Sequence, residues 1–431
     1  QFGFRKGSGT RDCVALLASQ INLAFNKKQD VVSTFLDVSG AYDSVLIDLL
    51  FNKLNNLKIP IIITNFLYNL FSFKILHFFH EGSSKLIRYS YFGLPQGSCL
   101  SPFLYNLFTS DIISIIPNGC YFYQFADDKV LSICGNNREI IRHFMQCTLD
   151  NIGSWAHNNG FTFSVAKTKF ILFSRKRSLI SINLYLNGHE IEQVDDYKYL
   201  GIWFDSKLLW NKHIQHVQKI CSKRINFLKT ITGTWWGAHP SDLIVLYKTT
   251  IRSVLEYGCF TFISTTHTHF SKLEKIQFRS LRICLKLMNS THTKSVEVLA
   301  GIIPLKMRLH ELNCKFVLQC INKNHPLIDI LKCLSIINPT CRILHSFQYC
   351  CSLNIAPNLI PSVNFHNFDI NIHSFTPIID LSFHEELKQI PSFEIPRFAS
   401  SLFQRKFIGF DVHQIYFSDG SLIQNVAGFG I

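Results

Sequence analysis

Negative charge is scarce in this sequence. Against 43 Lys and Arg it carries 29 Asp and Glu, which leaves a formal charge of +14 with histidine neutral. A surplus of that size suits an anionic partner, and nucleic acid is the first candidate. Charge of either sign is also limited. Only 17% of residues are charged while 47% are hydrophobic, which excludes a disordered chain and leaves a globular one. With 431 residues there is room for two to four domains. CxxC pairs are missing despite 14 cysteines, and the adjacent Cys350 and Cys351 cannot make a zinc site by themselves. No secretory signal is read, so the thiols are expected to be reduced, mostly buried and intracellular. No internal repeat is found. One long apolar run, "IPIIITNFLYNLFSFKILHFF" over 59–79, is interrupted by Asn65, Asn69, Lys74 and His77. It is expected to be a buried helix, not a membrane span. The chain opens on Gln1 and stops in mid-pattern at "NVAGFGI", which reads as a piece of something longer.

What is present falls into two halves. "VVSTFLD" (31–37) is β-branched and ends in an acid, the pattern of a strand. A helix is expected over 39–57, with Ser39 as its N-cap, and further helix over 59–79. A short strand and a Gly/Pro loop follow in 85–102, then a helix over 101–116. Residues 121–134 read as a β-hairpin, 138–160 as an amphipathic helix, and "KFILFSRK" (169–176) and "YKYLGIWFD" (197–205) as strands. That order predicts an α+β fold: one antiparallel sheet with helices on one side. Beyond residue 210 the pattern turns helical. Ile214, Val217, Cys221, Ile225 and Leu228 make one apolar stripe, and two more helices are expected near 241–257 and 271–288. From Ser206 to His310 there are sixteen Lys or Arg and four Asp or Glu, nearly the whole excess, which points to one basic face. Residues 311–412 show no clear period and read as a connector.

Two acids, Asp127 and Asp128, stand at the tip of the 121–134 hairpin, inside the strand-like run "YFYQFADDKVLSIC". A buried, unpaired charge is costly, so something must compensate them. A solvated tight turn is one reading. Another pairs them with Asp37, because neighbouring strands lie about 5 Å apart and three carboxylates there suit divalent cations.

The ordered set "QFGFRKGSGTRD", "FLDVSGAYD", "GLPQGSCLSPFLYNLF", "FADD", "NNGFTFSVAKTKFILFS" and "YKYLGIWFD" resembles the reverse transcriptases of non-LTR (LINE-type, jockey-like) retrotransposons. "LYKTTIRSVLEYG" and "EVLAGIIPLKMR" resemble that family's thumb, so the likeness runs over about 1–310. It implies a right-hand polymerase: partial fingers (1–30), a palm (31–205), a helical basic thumb (206–310), a connector (311–412) and the truncated start of a ribonuclease H domain (413–431). Asp37, Asp127 and Asp128 match the family's metal ligands, holding two Mg²⁺ ions with Mn²⁺ as a substitute. Tyr42 matches the aromatic gate that blocks a ribose 2′-OH. Gln96 and Gly97 match the loop against the incoming nucleotide, and Arg5 and Lys6 contacts to triphosphate or template. Lys167, with Lys169 as competitor, would meet the leaving pyrophosphate. Tyr199, Leu200 and Gly201 match the primer grip, a structural role. In "IYFSDGSLIQNVAGFGI" Asp419 matches the first metal ligand of a ribonuclease H domain; a single such acid predicts no ribonuclease H activity. The basic motif expected before "QFGFR", an endonuclease domain and a zinc knuckle are not found.

The resemblance implies RNA-directed DNA synthesis from RNA template, DNA primer and dNTPs, in the nucleus and cytoplasm as a ribonucleoprotein, with no membrane part. Two alternatives stand beside it. One is a transposon remnant that only binds nucleic acid. The other is a viral-type RNA-templated RNA polymerase, against which Tyr42 speaks. Incorporation of dNTP against NTP separates the two polymerases, and primer extension separates either from the remnant.

Overall fold

The computed structural model describes residues 1–80, 84–90, 93–176, 182–233, 236–352, 420–423 and 426–429. Two units divide the chain, Gln1–Pro361 and Ser362–Ile431.

In the first unit, α1 (Thr10–Asn26) precedes strand β1 (Asp30–Leu36), all seven residues of which are buried. Then come α2 (Ile47–Asn56), α3 (Ile61–Phe71) and the hairpin β2 (Lys74–His80) and β3 (Ser84–Ser90). Helix α4 (Ser101–Phe108) runs into a three-ten turn over Ser110–Ile115, followed by β4 (Cys120–Phe125), β5 (Asp128–Gly135), α5 (Arg138–Asn158) and β6 (Lys169–Phe173). Short strands β7 (Tyr185–Leu186), β8 (His189–Glu190) and β9 (Glu192–Gln193) lead to the hairpin β10 (Asp196–Tyr199) and β11 (Ile202–Asp205).

The main sheet has the order β4-β5-β1-β6-β9. Strand β1 is its centre, antiparallel to both β5 and β6, while β9 joins β6 in parallel. A continuous apolar run such as β1 is what a strand covered on both faces needs. Val31 and Phe35 belong to one core with α1, whereas Val32 and Leu36 belong to the other with Leu149 and Ile152 of α5. This corrects the expectation of helices on one side only, and of a wholly antiparallel sheet.

Three local expectations also change. Ser39 caps no helix. Residues 39–46 form a turn in which Ser44 N–H donates to the Gly40 carbonyl, and α2 starts at Ile47. The 59–79 run splits into α3 and β2, and α3 is buried on one face only: Leu67 and Phe71 are buried while Ile62 is 80% exposed and Phe66 62%. Aromatic and β-branched residues in "KILHFFH" suit the pairing with β3 better than a longer helix. Finally, 197–205 is a hairpin, because Leu200 (φ 43°) and Gly201 (φ 84°) both adopt the left-handed backbone of a two-residue turn.

Beyond the sheet come α6 (Asn211–Thr230), α7 (Pro240–Leu246) continued by a π turn over Tyr247–Arg252 into α8 (Ser253–Glu256), α9 (Cys259–Phe262) and α10 (His267–Cys284). The predicted stripe of α6 is buried in full. Helices α11 (Thr293–Ala300), α12 (Leu305–Asn322), α13 (Leu327–Ile337) and α14 (His345–Ser352) follow. The residues read as an aperiodic connector are therefore helical through Ser352, and Val317, Leu327 and Leu331 share the core of α1. Of the sixteen cations between 206 and 310, eleven are exposed. All 14 cysteines are free, but only six are fully buried and four are exposed, fewer buried than expected. No helix among the described residues is long and apolar enough to cross a membrane. In the second unit, strands β12 (Gly420–Ile423) and β13 (Val426–Phe429) pair antiparallel.

At the start of β1, Asp30 is buried and receives hydrogen bonds from Ser174 Oγ at 2.6 Å, Arg138 Nε at 2.8 Å and Lys176 Nζ at 3.0 Å. Burial alone would raise its pKa, but the bonds from Ser174, Arg138 and Lys176 outweigh it, and the carboxyl titrates below its ordinary value. Its stabilisation is therefore present above the ordinary carboxylate pKa and lost as pH falls through the lowered one. Asp30→Ala, which removes the buried acceptor shared by Ser174, Arg138 and Lys176, is expected to cost about 3 kcal/mol in urea unfolding at pH 7, and the deficit should shrink below about pH 4.

Candidate active site

Register brings the acids together. The last β1–β5 pair is Leu36 opposite Lys129, so one step further Asp37 stands alongside Asp128. Asp128 also opens β5 opposite Phe125, and the link between β4 and β5 is only Ala126 and Asp127. Ala126 sits in the left-handed region (φ 55°), an uncommon place for a side chain. Several bonds hold it there. Gln124 Nε2 donates to the Ala126 carbonyl at 3.0 Å and to Thr109 Oγ1 at 3.0 Å, and Lys129 Nζ donates to the Asp127 carbonyl at 3.3 Å. The N-terminal segment lies across this turn: Phe2 N–H donates to the Gln124 carbonyl at 2.8 Å. A Cβ on Gly3 would stand 2.6 Å from Ala126 N, so glycine is required there.

On the other side of Asp37, the segment 161–168 returns antiparallel. Val38 bridges Phe163, and Ser164 N–H donates to the Asp37 carbonyl at 2.9 Å. This places Lys167 Nζ 3.4 Å from Asp37 Oδ2, while Lys169 Nζ bonds Glu192 at 2.5 Å. Of the two lysines, Lys167 is therefore the one at the acids. A third loop is tied to the first: Gly93 N–H donates to the Val45 carbonyl and Leu94 N–H to the Tyr42 carbonyl, both at 2.8 Å.

These loops enclose a cleft of about 530 Å³ whose lining includes Asp37, Tyr42, Gln96, Gly97, Asp127 and Lys167. Gly97 (φ 98°) presents bare backbone, since a Cβ there would meet nothing within 4 Å. Gln96 Nε2 reaches Asp43 Oδ2 at 3.5 Å. Arg5 and Lys6 are exposed and do not line the cleft; their neighbour Phe4 does. The Tyr199–Gly201 turn is held from outside, where Tyr257 Oη donates to the Leu200 carbonyl at 2.7 Å. Asp419 lies outside the described residues.

The acids are electrostatically strained. Asp128 is pushed up to about 6, first by burial and then by the charges of Asp127 and Asp37. Asp37 Oδ2 is shielded from solvent and, among the described residues, accepts no well-formed hydrogen bond, its one close cation being Lys167 Nζ at 3.4 Å. Like-charged carboxylates short of donors are the donor set that Mg²⁺ and Mn²⁺ accept, so the residues fit divalent cations.

Two residues were passed over in the sequence although one adjoins the acid pair. Lys129 is fully buried, and its Nζ donates to Tyr105 Oη at 3.2 Å. Burial lowers its ammonium to about 8, against the opposing pull of Asp127, Asp128 and Asp37. Tyr105 in turn stacks on Tyr42, with centroids 5.0 Å apart. A lysine between the acid pair and the apolar run that begins at Val130 was the available signal.

A second cluster, Asp12, Cys320 and His325, brings three donor atoms within 4.8 Å. Its chemistry argues against a metal. Leu327 N–H donates to His325 Nδ1 at 3.2 Å, so the neutral ring keeps its proton on Nε2, the atom facing Asp12 at 3.5 Å. That nitrogen has no lone pair to offer.

Residues 1–204 match the family model described as reverse transcriptase (RNA-dependent DNA polymerase). The chain is 26% identical over 291 residues to the RNA-directed DNA polymerase from mobile element jockey of Drosophila melanogaster, covering 65% of this chain and 31% of that protein. It is 25% identical over 289 residues to the probable RNA-directed DNA polymerase from transposon BS of the same species, covering 65% and 32%. It thus spans about a third of the length of these curated relatives. Among solved structures it is similar to a telomerase from Candida tropicalis, in complex with a fragment of telomeric RNA, at 12% identity and a TM-score of 0.37, over 79% of this chain and 52% of that one.

Because Asp128 has a raised pKa in the folded state, its ionised form destabilises the fold as pH rises through about 6. In metal-free buffer at pH 7, Asp128→Asn is expected to be the more stable protein by about 1 kcal/mol, allowing for partial exposure. Thermal unfolding checks this. The gain should fade toward pH 4 and narrow when Mg²⁺ is added, since the cation favours the wild-type carboxylate.

Proposed function

We propose that the reverse transcriptase domain formed by residues 1–204 makes this chain an RNA-directed DNA polymerase of a non-LTR retrotransposon. The observation that carries the reading is that Asp37 and Asp127 line one cleft together with Tyr42, Gln96, Gly97 and Lys167, while Asp128 stands beside Asp37 in the strand register without lining the cleft. The reaction is attack of a primer 3′-OH on the α-phosphate of a dNTP, paired to RNA template, with pyrophosphate leaving. Asp37, Asp127 and Asp128 would hold two divalent ions, which when bound acidify the attacking hydroxyl and neutralise charge on the transferring phosphate.

The chain's own residues supply position and charge. Tyr42 forms the wall where a ribose 2′-OH would stand, so deoxynucleotides fit and ribonucleotides collide. Gly97 lets backbone approach the nucleotide, with Gln96 beside it. Lys167, on the rim near Asp37, offers a mobile ammonium to the pyrophosphate as negative charge builds there. Tyr199, Leu200 and Gly201 form the tight turn that supports the primer end, and the exposed cations between 206 and 310 suit sequence-independent contacts to the duplex. Arg5 and Lys6, outside the cleft lining, suit the template better than the triphosphate.

Primer extension on an RNA template with dNTPs and Mg²⁺ tests the proposal. Wild-type protein should make DNA, and Asp127→Asn should lose more than about a thousandfold in rate, the scale of a removed transition-state charge contact. Lys167→Ala should lower kcat by about tenfold to a hundredfold with little change in KM for dNTP. Salt-sensitive duplex binding without any extension would instead leave a nucleic-acid-binding remnant.

A further inference from the structure

Lys129 is an anomaly that the polymerase reading does not use. An ammonium in a protein core is expensive unless its protons are bonded. A Met or Leu of similar volume would fill the same place in β5 without that cost. Lys129 is 1% exposed, and its described hydrogen bonds go to two oxygens, Tyr105 Oη at 3.2 Å and the Asp127 carbonyl at 3.3 Å. One cation thus joins the turn that carries Asp127 to the ring beneath Tyr42.

Tyr105 is a rigid intermediary. It projects from α4, is completely buried, and meets Phe161 edge-on at 6.1 Å. Tyr42 stacks on it at an interplanar angle of 29°. Tyr42 itself is only partly buried and lies on a loop, so its stance depends on what its ring rests against. A steric filter for one hydroxyl fails if the blocking ring can tilt by a fraction of an ångström.

We propose that Lys129, by anchoring Tyr105 through its hydroxyl, is a positioning residue for Tyr42 and so sets how sharply the cleft rejects ribonucleotides. This rests on the reading of Tyr42 as the wall against the 2′-OH. The competing role for Lys129 is support of the Asp127 turn alone. That role predicts equal losses for both sugars, whereas positioning of Tyr42 changes their ratio.

The test uses the full chain on an RNA template with a dideoxy-terminated primer, so that no turnover is needed. The affinity of the ternary complex for dNTP and for the matching NTP is measured by gel shift. Tyr105→Phe keeps the stacked ring and removes the oxygen that Lys129 bonds. Lys129→Met keeps the bulk and removes the charge. Each is expected to lower the dNTP/NTP affinity ratio by about tenfold, the double variant no further, because both cut one linkage. Tyr42→Val is the reference and should lower the ratio by about a hundredfold. If Tyr42→Val leaves the ratio unchanged, or no nucleotide-stabilised complex forms, the underlying reading of the cleft fails and the proposal with it. If Tyr42→Val lowers the ratio while Tyr105→Phe and Lys129→Met weaken both nucleotides alike or neither, the gate stands and the proposal is overturned. Should Lys129→Met not fold, as judged by circular dichroism, Tyr105→Phe decides by the same criterion.

Discussion

Everything in the cleft depends on the pairing of β1 with β5. Strand β1 sits at the centre of the sheet, and its register with β5 runs without a bulge from Asp30 opposite Gly135 to Leu36 opposite Lys129. A slip of one residue would turn every side chain to the other face. It would take Asp37 away from Asp128 and expose Val31, Val32, Phe35 and Leu36 to the wrong core. The two cores therefore support the acid geometry, because Phe35 is seated in one and Leu36 in the other. Chemistry at the end of the strands is fixed by apolar packing along their length.

That packing creates the electrostatic tension of the site. A sheet covered on both faces has little water near its end, so charges there are poorly screened. Asp128 is held above its normal pKa for this reason first and because of Asp127 and Asp37 second. The fold answers with cations of two kinds. Lys167 is largely exposed on the rim, whereas Lys129 is enclosed in the core below. The first faces the open cleft, and the second bonds Tyr105 Oη and the Asp127 carbonyl from within the core.

The sequence made β1, β6, the acid hairpin of β4 and β5 and the amphipathic helices α5 and α6 legible, because each is a local pattern: a β-branched run, an acid pair at a tip, a 3.6 period. The candidate residues Asp37, Asp127, Tyr42, Gln96, Gly97 and Lys167 were named from an ordered set of motifs, and one cleft gathers them. What was not legible was decided by partners distant in the chain. The 39–46 turn exists because Ser39 is tied to Thr162 and Tyr42 to Leu94. The split of 59–79 depends on β3, and the helices after Leu305 on α1. Lys129 was visible as a letter, but burial alone gives it meaning. Arg5 and Lys6 were placed by motif position, which carries no information on where a loop side chain points.

Two glycines show how irregular segments are bound to this frame. Gly3 lies so close to the Ala126 backbone that any Cβ would clash at 2.6 Å, and Gly93 (φ 80°) lies against Asp43, where a Cβ would stand 2.8 Å from the carbonyl oxygen. Neither contact is made by a side chain that could be exchanged for another. The first clamps the N-terminal segment on the acid hairpin, and the second clamps the Gln96–Gly97 loop on the loop of Tyr42. Loops usually owe their mobility to the absence of such contacts. Here backbone rests on backbone beside two segments that line the cleft, at Phe4 and at Gln96–Gly97, so these segments are tied to the sheet that presents the acids. The proposed discrimination of nucleotides by one oxygen atom would call for rigidity in the walls as much as in the floor.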